Sequence, residues 1–157
     1  NILDFLICIS VYEKKMKISQ ARQNCAALIA SEFADMKEIA LPVEYFRRAQ
    51  NTIAHLGFAV TISNTQAGEA RQRTQTALIN RLQLIFAYRI RPHSFLTDLD
   101  LATDREEQII RTVLDNGGHT TTPKTQLRYM NTARDFSDSL EYIVLTIEFQ
   151  TMHQLGT

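Results

Sequence analysis

The stretch Thr74–Ile90, TQTALINRLQLIFAYRI, decides the fold. Read with a period of two, Thr74, Thr76, Leu78, Asn80, Leu82, Leu84, Phe86, Tyr88 and Ile90 fall on one face, and Gln75, Ala77, Ile79, Arg81, Gln83, Ile85, Ala87 and Arg89 on the other. Successive side chains of a strand alternate between the two faces of a sheet, so this pattern predicts a long strand with one apolar face and one mixed face. At about 3.3 Å per residue it is long enough to run past the edge of a compact domain. Ile53–Ser63 alternates in the same way through Phe58, Val60 and Ile62. The intervening NTQAGEARQRT (Asn64–Thr74) is polar, with one glycine and no large apolar residue. The three pieces read as a long extended β-hairpin with a mobile polar tip.

Upstream, Ile18, Ala21, Cys25, Leu28, Ile29, Phe33 and Met36 recur at steps of mostly three and four, which is one face of an amphipathic helix, with Ser19 as its N-cap. Pro42 ends that helix, and Val43–Arg48 reads as a short strand. Downstream, Arg91-Pro92 breaks the long strand. Thr103-Asp104-Arg105-Glu106 matches a capping box, and the helix it opens carries Ile109, Ile110, Val113 and Leu114 before stopping at Asn116-Gly117-Gly118. Thr120–Thr125 is a threonine-rich turn with Pro123. Gln126–Thr132 and Ser139–Met152 read as two further strands around an Ala133–Asp138 loop. The last strand is apolar on both faces (Leu140, Tyr142 and Val144 against Ile143, Leu145, Ile147 and Phe149), as expected where a second layer or another subunit covers it. The expected architecture is α+β: two amphipathic helices packed on one face of a mostly antiparallel sheet with a long extended β-hairpin.

The chain has 157 residues, 45% of them hydrophobic and 22% charged, which suits a single folded domain. That domain is expected to span residues 16–157, preceded by an apolar extension over residues 1–15. Ile2–Val11 has no basic residues before it and no small-x-small cleavage site, so it does not match a signal peptide. Met16-Lys17-Ile18-Ser19 resembles a translation start, and the extension, if present in the protein, needs a surface to bury it. No apolar run approaches the length of a membrane span. Seventeen Lys and Arg balance seventeen Asp and Glu, which argues against a protein whose main task is to grip nucleic acid or an anionic membrane.

Chemistry-bearing motifs are sparse. Two cysteines, Cys8 and Cys25, are too few for a disulfide framework or a cysteine zinc site, and Cys25 sits on the apolar face of its helix as a small core residue. His55, His93, His119 and His153 show no metal-binding spacing. There is no GxSxG, P-loop or GxGxxG, and with five glycines no phosphate-cradling loop is expected, so neither a catalytic motif nor a cofactor is indicated. The acidic group Asp98, Asp100, Asp104, Glu106 and Glu107 is the one candidate for a metal-dependent, nuclease-like enzyme. Against it, Ala102 stands where an EF-hand loop needs a ligand, and Glu106 and Asp104 have helix-start roles. Arginine outnumbers lysine twelve to five, and Arg71, Arg73, Arg81, Arg89 and Arg91 share one parity along the long strand and its flanks. Such a row is either a solvated strand face or a subunit interface, where arginine is favoured over lysine. A nucleic-acid stripe ranks third, since no aromatic residues interleave for base stacking. A monomeric module that pairs a partner strand at a sheet edge is a further alternative.

The order of elements, with LIFAYRI (Leu84–Ile90), the helix over Asp104–Leu114 and the closing RYMNTARDFSDSLEYIVLTIEF (Arg128–Phe149), resembles the tail terminator and head–tail joining proteins of long-tailed, lambda-like bacteriophages. The likeness covers Lys17–Phe149 and is most suggestive in S-x-x-x-x-Y-x-x-x-T-x-E-[aromatic] from Ser137. It implies a non-enzymatic virion protein of the neck: a hexameric ring, assembled in the host cytoplasm, that caps the tail tube and contacts the tube and connector proteins. A head–tail connector or tail completion protein is the near alternative. DNA would cross the ring only in transit, which suits a neutral chain. The resemblance places Glu69, Arg71 and Arg73 in the hairpin arm, facing the channel or the next ring, and Arg81, Arg89, Tyr142 and Glu148 at subunit contacts. Ile2–Val11 has no counterpart in that family.

Overall fold

In a computed structural model, residues 17–39, 55–68, 76–117 and 126–155 are described. The expected strand Val43–Arg48, the turn Thr120–Thr125, the extension Ile2–Val11 and the arm residues Glu69, Arg71 and Arg73 lie outside them. The elements run α1 (Ile18–Glu32), β1 (Lys37–Glu38), β2 (Gly57–Ala67), β3 (Thr76–Arg89), a 3₁₀ turn (Pro92–Ser94), α2 (Phe95–Gly117), β4 (Gln126–Phe136) and β5 (Tyr142–Leu155). The described strands form a five-stranded sheet in the order β1-β2-β3-β5-β4, antiparallel except for the β1–β2 pair. The class is α+β. No helix of the described residues is long and apolar enough to cross a membrane.

β3 is the spine of the sheet, and its alternation divides the domain. Leu82, Leu84 and Phe86 face one way and meet Ile62, Val60 and Phe58 of β2 on one side and Phe149, Ile147 and Leu145 of β5 on the other. Cys25 and Ile29 of α1 and Ala102, Ile109 and Val113 of α2 close over this face in one continuous core. Each fully buried Phe, Leu or Ile contributes roughly 1.5–3 kcal/mol, so this layer dominates the stability. The chain leaves β3 by α2 and returns as β4, with β5 inserted between the two parallel strands. This is a split β-α-β arrangement.

Several expectations shift at element ends. α1 stops at Glu32 instead of Met36, where Phe33 leaves the helical backbone angles (φ −121°, ψ 87°) and donates its N–H to the Ile29 carbonyl at 3.0 Å. Met36 still reaches the core, by a turn and not by a helix. Ser19 is not the cap: Lys17 occupies that position, with no side-chain bond, because its carbonyl already receives Gln20 and Ala21. β2 begins at Gly57, after Leu56 in a left-handed conformation (φ 59°). That residue donates its N–H to the Ala87 carbonyl at 2.7 Å and accepts from Lys37 at 3.2 Å, which ties β1 to β3.

The first residues of the expected loop Asn64–Thr74 belong to a strand, and Glu69–Thr74 lie outside the described residues. Asn64–Ala67 stay paired with β3 past a bulge between Ile62 and Asn64, because ladder bonds need no apolar side chain. Thr65 hydroxyl to Asn80 Oδ1, at 2.7 Å, ties the polar end together. Within the described residues the β2–β3 hairpin does not stand free. β5 pairs with β3 over its full length, from Thr76↔Leu155 to Arg89↔Tyr142.

The capping box is also corrected. α2 already starts at Phe95, so Thr103 lies inside it and bonds the Leu99 carbonyl at 3.0 Å, while Glu106 is buried. Pro92 pre-sets the first turn, and Asp98 satisfies the entering backbone eight positions before Glu106. β4 likewise continues to Phe136, four residues into the expected loop.

Candidate functional site

The second face of the sheet carries the residues singled out as subunit contacts. Directly opposed residues share a face, so the register sets its rows: Ile79 with Met152, Arg81 with Gln150 and Arg128, Gln83 with Glu148 and Asn131, Ile85 with Thr146 and Ala133, Ala87 with Val144 and Asp135, and Arg89 with Tyr142. All four candidates, Arg81, Arg89, Tyr142 and Glu148, therefore lie on this one face. Its only small cluster is Ala87, Tyr142 and Val144, which no helix residue joins among the described residues. Most of the remaining side chains are half-buried at best.

The electrostatics of the face are mixed. Arg81 reaches Glu148 at 2.7 Å and Gln83 donates to the other carboxylate oxygen at 3.3 Å. The Glu148 side chain is only 12% exposed and Arg81 42%. Buried carboxylates require such partners, so this pair is a contact within the subunit. Arg89 and Arg128 are exposed and make no ion pair among the described residues. Arg89 donates its backbone N–H to His55 Nδ1 at 3.1 Å, and His55 packs edge-on to Tyr88, with centroids 4.6 Å apart. Burial holds the His55 pKa below its ordinary value, with the Asp35 carboxylate acting in the opposite sense.

Arg91 leaves the row of arginines. The strand has ended, and its guanidinium grips Asp98 at 2.9 and 3.1 Å while its backbone N–H adds a third bond at 2.8 Å and the Ser94 hydroxyl a fourth at 3.0 Å. These bonds, Arg91 first, hold the Asp98 carboxyl far below the usual carboxylate range. Asp98 is thus consumed in joining β3 to α2, while Asp100 and Asp104 are exposed. No group of three His, Cys, Asp or Glu side chains among the described residues is placed to hold a metal ion. Cys25 is buried, and desolvation pushes its thiol up to about 12, so it sits in the core as a neutral thiol at neutral pH.

A cleft of about 510 Å³ lies between the end of α1 and α2, lined by Glu32, Phe33, Asp104, Glu107, Gln108, Arg111, Thr112 and Asp115. Beside it, Arg105 clamps Asp35 with bonds of 2.9 and 2.8 Å and lies over the Phe33 ring. These contacts dock α2 against the chain that leaves α1, and the cleft gathers no nucleophile–base pair.

Two features had no sequence signal. The Glu106–Arg134 pair joins α2 to β4 at 2.6 Å, and the Phe95–Phe136 stack joins the same two elements with centroids 6.0 Å apart. Both are contacts between side chains distant in sequence. No protein-family model and no curated protein matches the chain.

Proposed function

We propose that the chain is a structural ring subunit of the phage tail terminator type. It would cap the tail tube and join it to the neck, with DNA passing through the channel and no chemistry performed. The observation that supports this reading most is the second sheet face: a β3–β5 ladder of two fourteen-residue strands, outside the helical core, with Arg89, Tyr142, Arg81 and Glu148 along it. A sheet face with mixed charge and half-buried apolar residues is suited to packing against protein, and arginine is favoured in such contacts. The tube and connector proteins would then be the partners above and below the ring. Glu69, Arg71 and Arg73 are proposed to face the channel or the next ring.

The test is solution mass by light scattering, for the protein alone and after addition to growing tail tubes. A particle of about six subunits is expected from the resemblance, a head-to-tail contact closing into a ring where its rotation allows. Arg89→Glu, which disturbs no ion pair among the described residues, should lower that mass. A wild-type protein that remains monomeric under both conditions overturns the reading. Hydrolysis of DNA by the purified protein with a divalent metal, abolished by Asp100→Asn, would favour the nuclease-like alternative instead.

A further inference from the structure

Among the described residues, the turn between β4 and β5 holds the one exposed non-glycine residue on a left-handed backbone. Leu140 stands at its tip with φ 60°, a left-handed backbone that crowds Cβ against the following carbonyl and so disfavours any residue but glycine, and is 67% exposed. The turn is closed by the Ser137 N–H to the Tyr142 carbonyl at 2.9 Å and the Leu140 N–H to the Ser137 carbonyl at 2.8 Å. Beside it, at the same end of the sheet, the stacked Phe95 and Phe136 rings are both exposed, as is Leu96. A strained, exposed leucine marks a surface kept for contact, since it buries nothing within its own subunit, and the aromatic pair that holds β4 to α2 leaves apolar surface open beside it.

Charge specifies what the surface fits. Residues 135–141 hold three carboxylates, Asp135, Asp138 and Glu141, and no cation. All three are exposed and none makes an ion pair among the described residues. The neighbouring Arg134 is spent on Glu106. The complementary chemistry, apolar with unpaired positive charge, exists on this same chain at the far end of the second sheet face. There Ile79 pairs with the exposed Met152, and Arg128 lies in the next row with Gln150 and Arg81. From Tyr142 to Met152 is about 33 Å of strand at 3.3 Å per residue, so the two surfaces cannot meet within one subunit.

We propose that the β4–β5 turn of one subunit docks head to tail on the Ile79–Met152–Arg128 end of the sheet face of a second copy. Leu140 sits against Ile79 and Met152, and Asp138 and Glu141 face Arg128. This rests on the ring reading and names the contact that would build the ring. Two different patches in contact propagate around a ring if the rotation closes.

Charge reversal tests it under the condition in which the wild type assembles. Asp138→Lys with Glu141→Lys, and separately Arg128→Glu, should each reduce the solution mass toward one subunit. Mixed in equal amounts, the two variant chains should reassemble, because the lysine turn of one now meets the glutamate of the other while the second contact is wild type on both sides. Leu140→Gly should lose assembly while melting no lower than wild type. Assembly of either charge variant alone as well as wild type, or failure of the mixture to recover mass, overturns the inference and leaves the ring reading standing. A wild type that never assembles overturns the ring reading first.

Discussion

Glu106 of α2 and Arg134 of β4, 28 positions apart, close an ion pair at 2.6 Å in which the carboxylate side is 7% exposed and the guanidinium 45%. The pair, with the Phe95–Phe136 stack, fixes the edge strand β4 to the helix above it. Removing the cation strands a buried charge, whereas neutralising the acid does not. With the guanidinium half exposed, Arg134→Ala is therefore expected to cost about 2 kcal/mol. Glu106→Gln, which keeps an acceptor, should cost about 1 kcal/mol. Urea unfolding midpoints of the two variants check the order; equal losses would show that the pair is solvated.

Leu56 holds a buried side chain on a left-handed backbone. Leu56→Ala removes core contacts and should cost about 2–4 kcal/mol. Leu56→Gly removes one carbon more but relieves a backbone penalty of roughly 1–2 kcal/mol. Glycine should thus be the milder replacement, the reverse of the order at an ordinary strand position. Thermal unfolding of both variants decides it.

Asp98 is ionised well below its ordinary 3.8 because Arg91 and Ser94 hydrogen-bond the charged form. A carboxyl with a lowered folded pKa contributes stability that is fully present above the unfolded value and is lost as pH falls through the folded one. Asp98→Asn should be less stable than wild type at pH 7, and the two should converge as the pH is lowered below 3.8. Stability measured in urea across pH 2–7 shows the convergence or its absence.

His55 likewise favours its deprotonated form in the folded state, here the neutral imidazole. Its Nδ1 accepts the Arg89 N–H, and burial lowers its pKa from 6.5, so the folded state takes up its proton at lower pH than the unfolded chain. Stability should fall as the pH drops through 6.5 toward the folded value and level off beneath it. His55→Asn keeps an acceptor and should remove that step. An NMR titration of the imidazole in the native protein should give a midpoint below 6.5; a midpoint above it would overturn the assignment.

The fold class was legible wherever one face of an element is buried along its length. Thr74–Ile90 and Ser139–Met152 show their strands through alternation, and Cys25, Ile29, Ile109 and Val113 show their helices through three- and four-residue steps. Burial acts on every second or every third and fourth residue, so it writes itself into the chain. Element ends were less legible. The helix start at Phe95, the continuation of β2 to Ala67 and of β4 to Phe136, and the two-residue β1 depend on hydrogen bonds that polar and apolar residues satisfy equally.

The sequence by itself determined the alternating spine, the sharing of a face by Arg81 and Arg89, and the burial of Cys25, because a strand's parity and a helix's stripe are properties of neighbouring residues. Only the tertiary structure decided that β5 lies between β3 and β4, that Arg91 abandons the arginine row for Asp98, and that Glu106 serves Arg134 instead of a cap. Each of these is a choice among several chemically acceptable partners. It is settled by which groups the packed core brings within hydrogen-bond distance, and local spacing does not encode that distance.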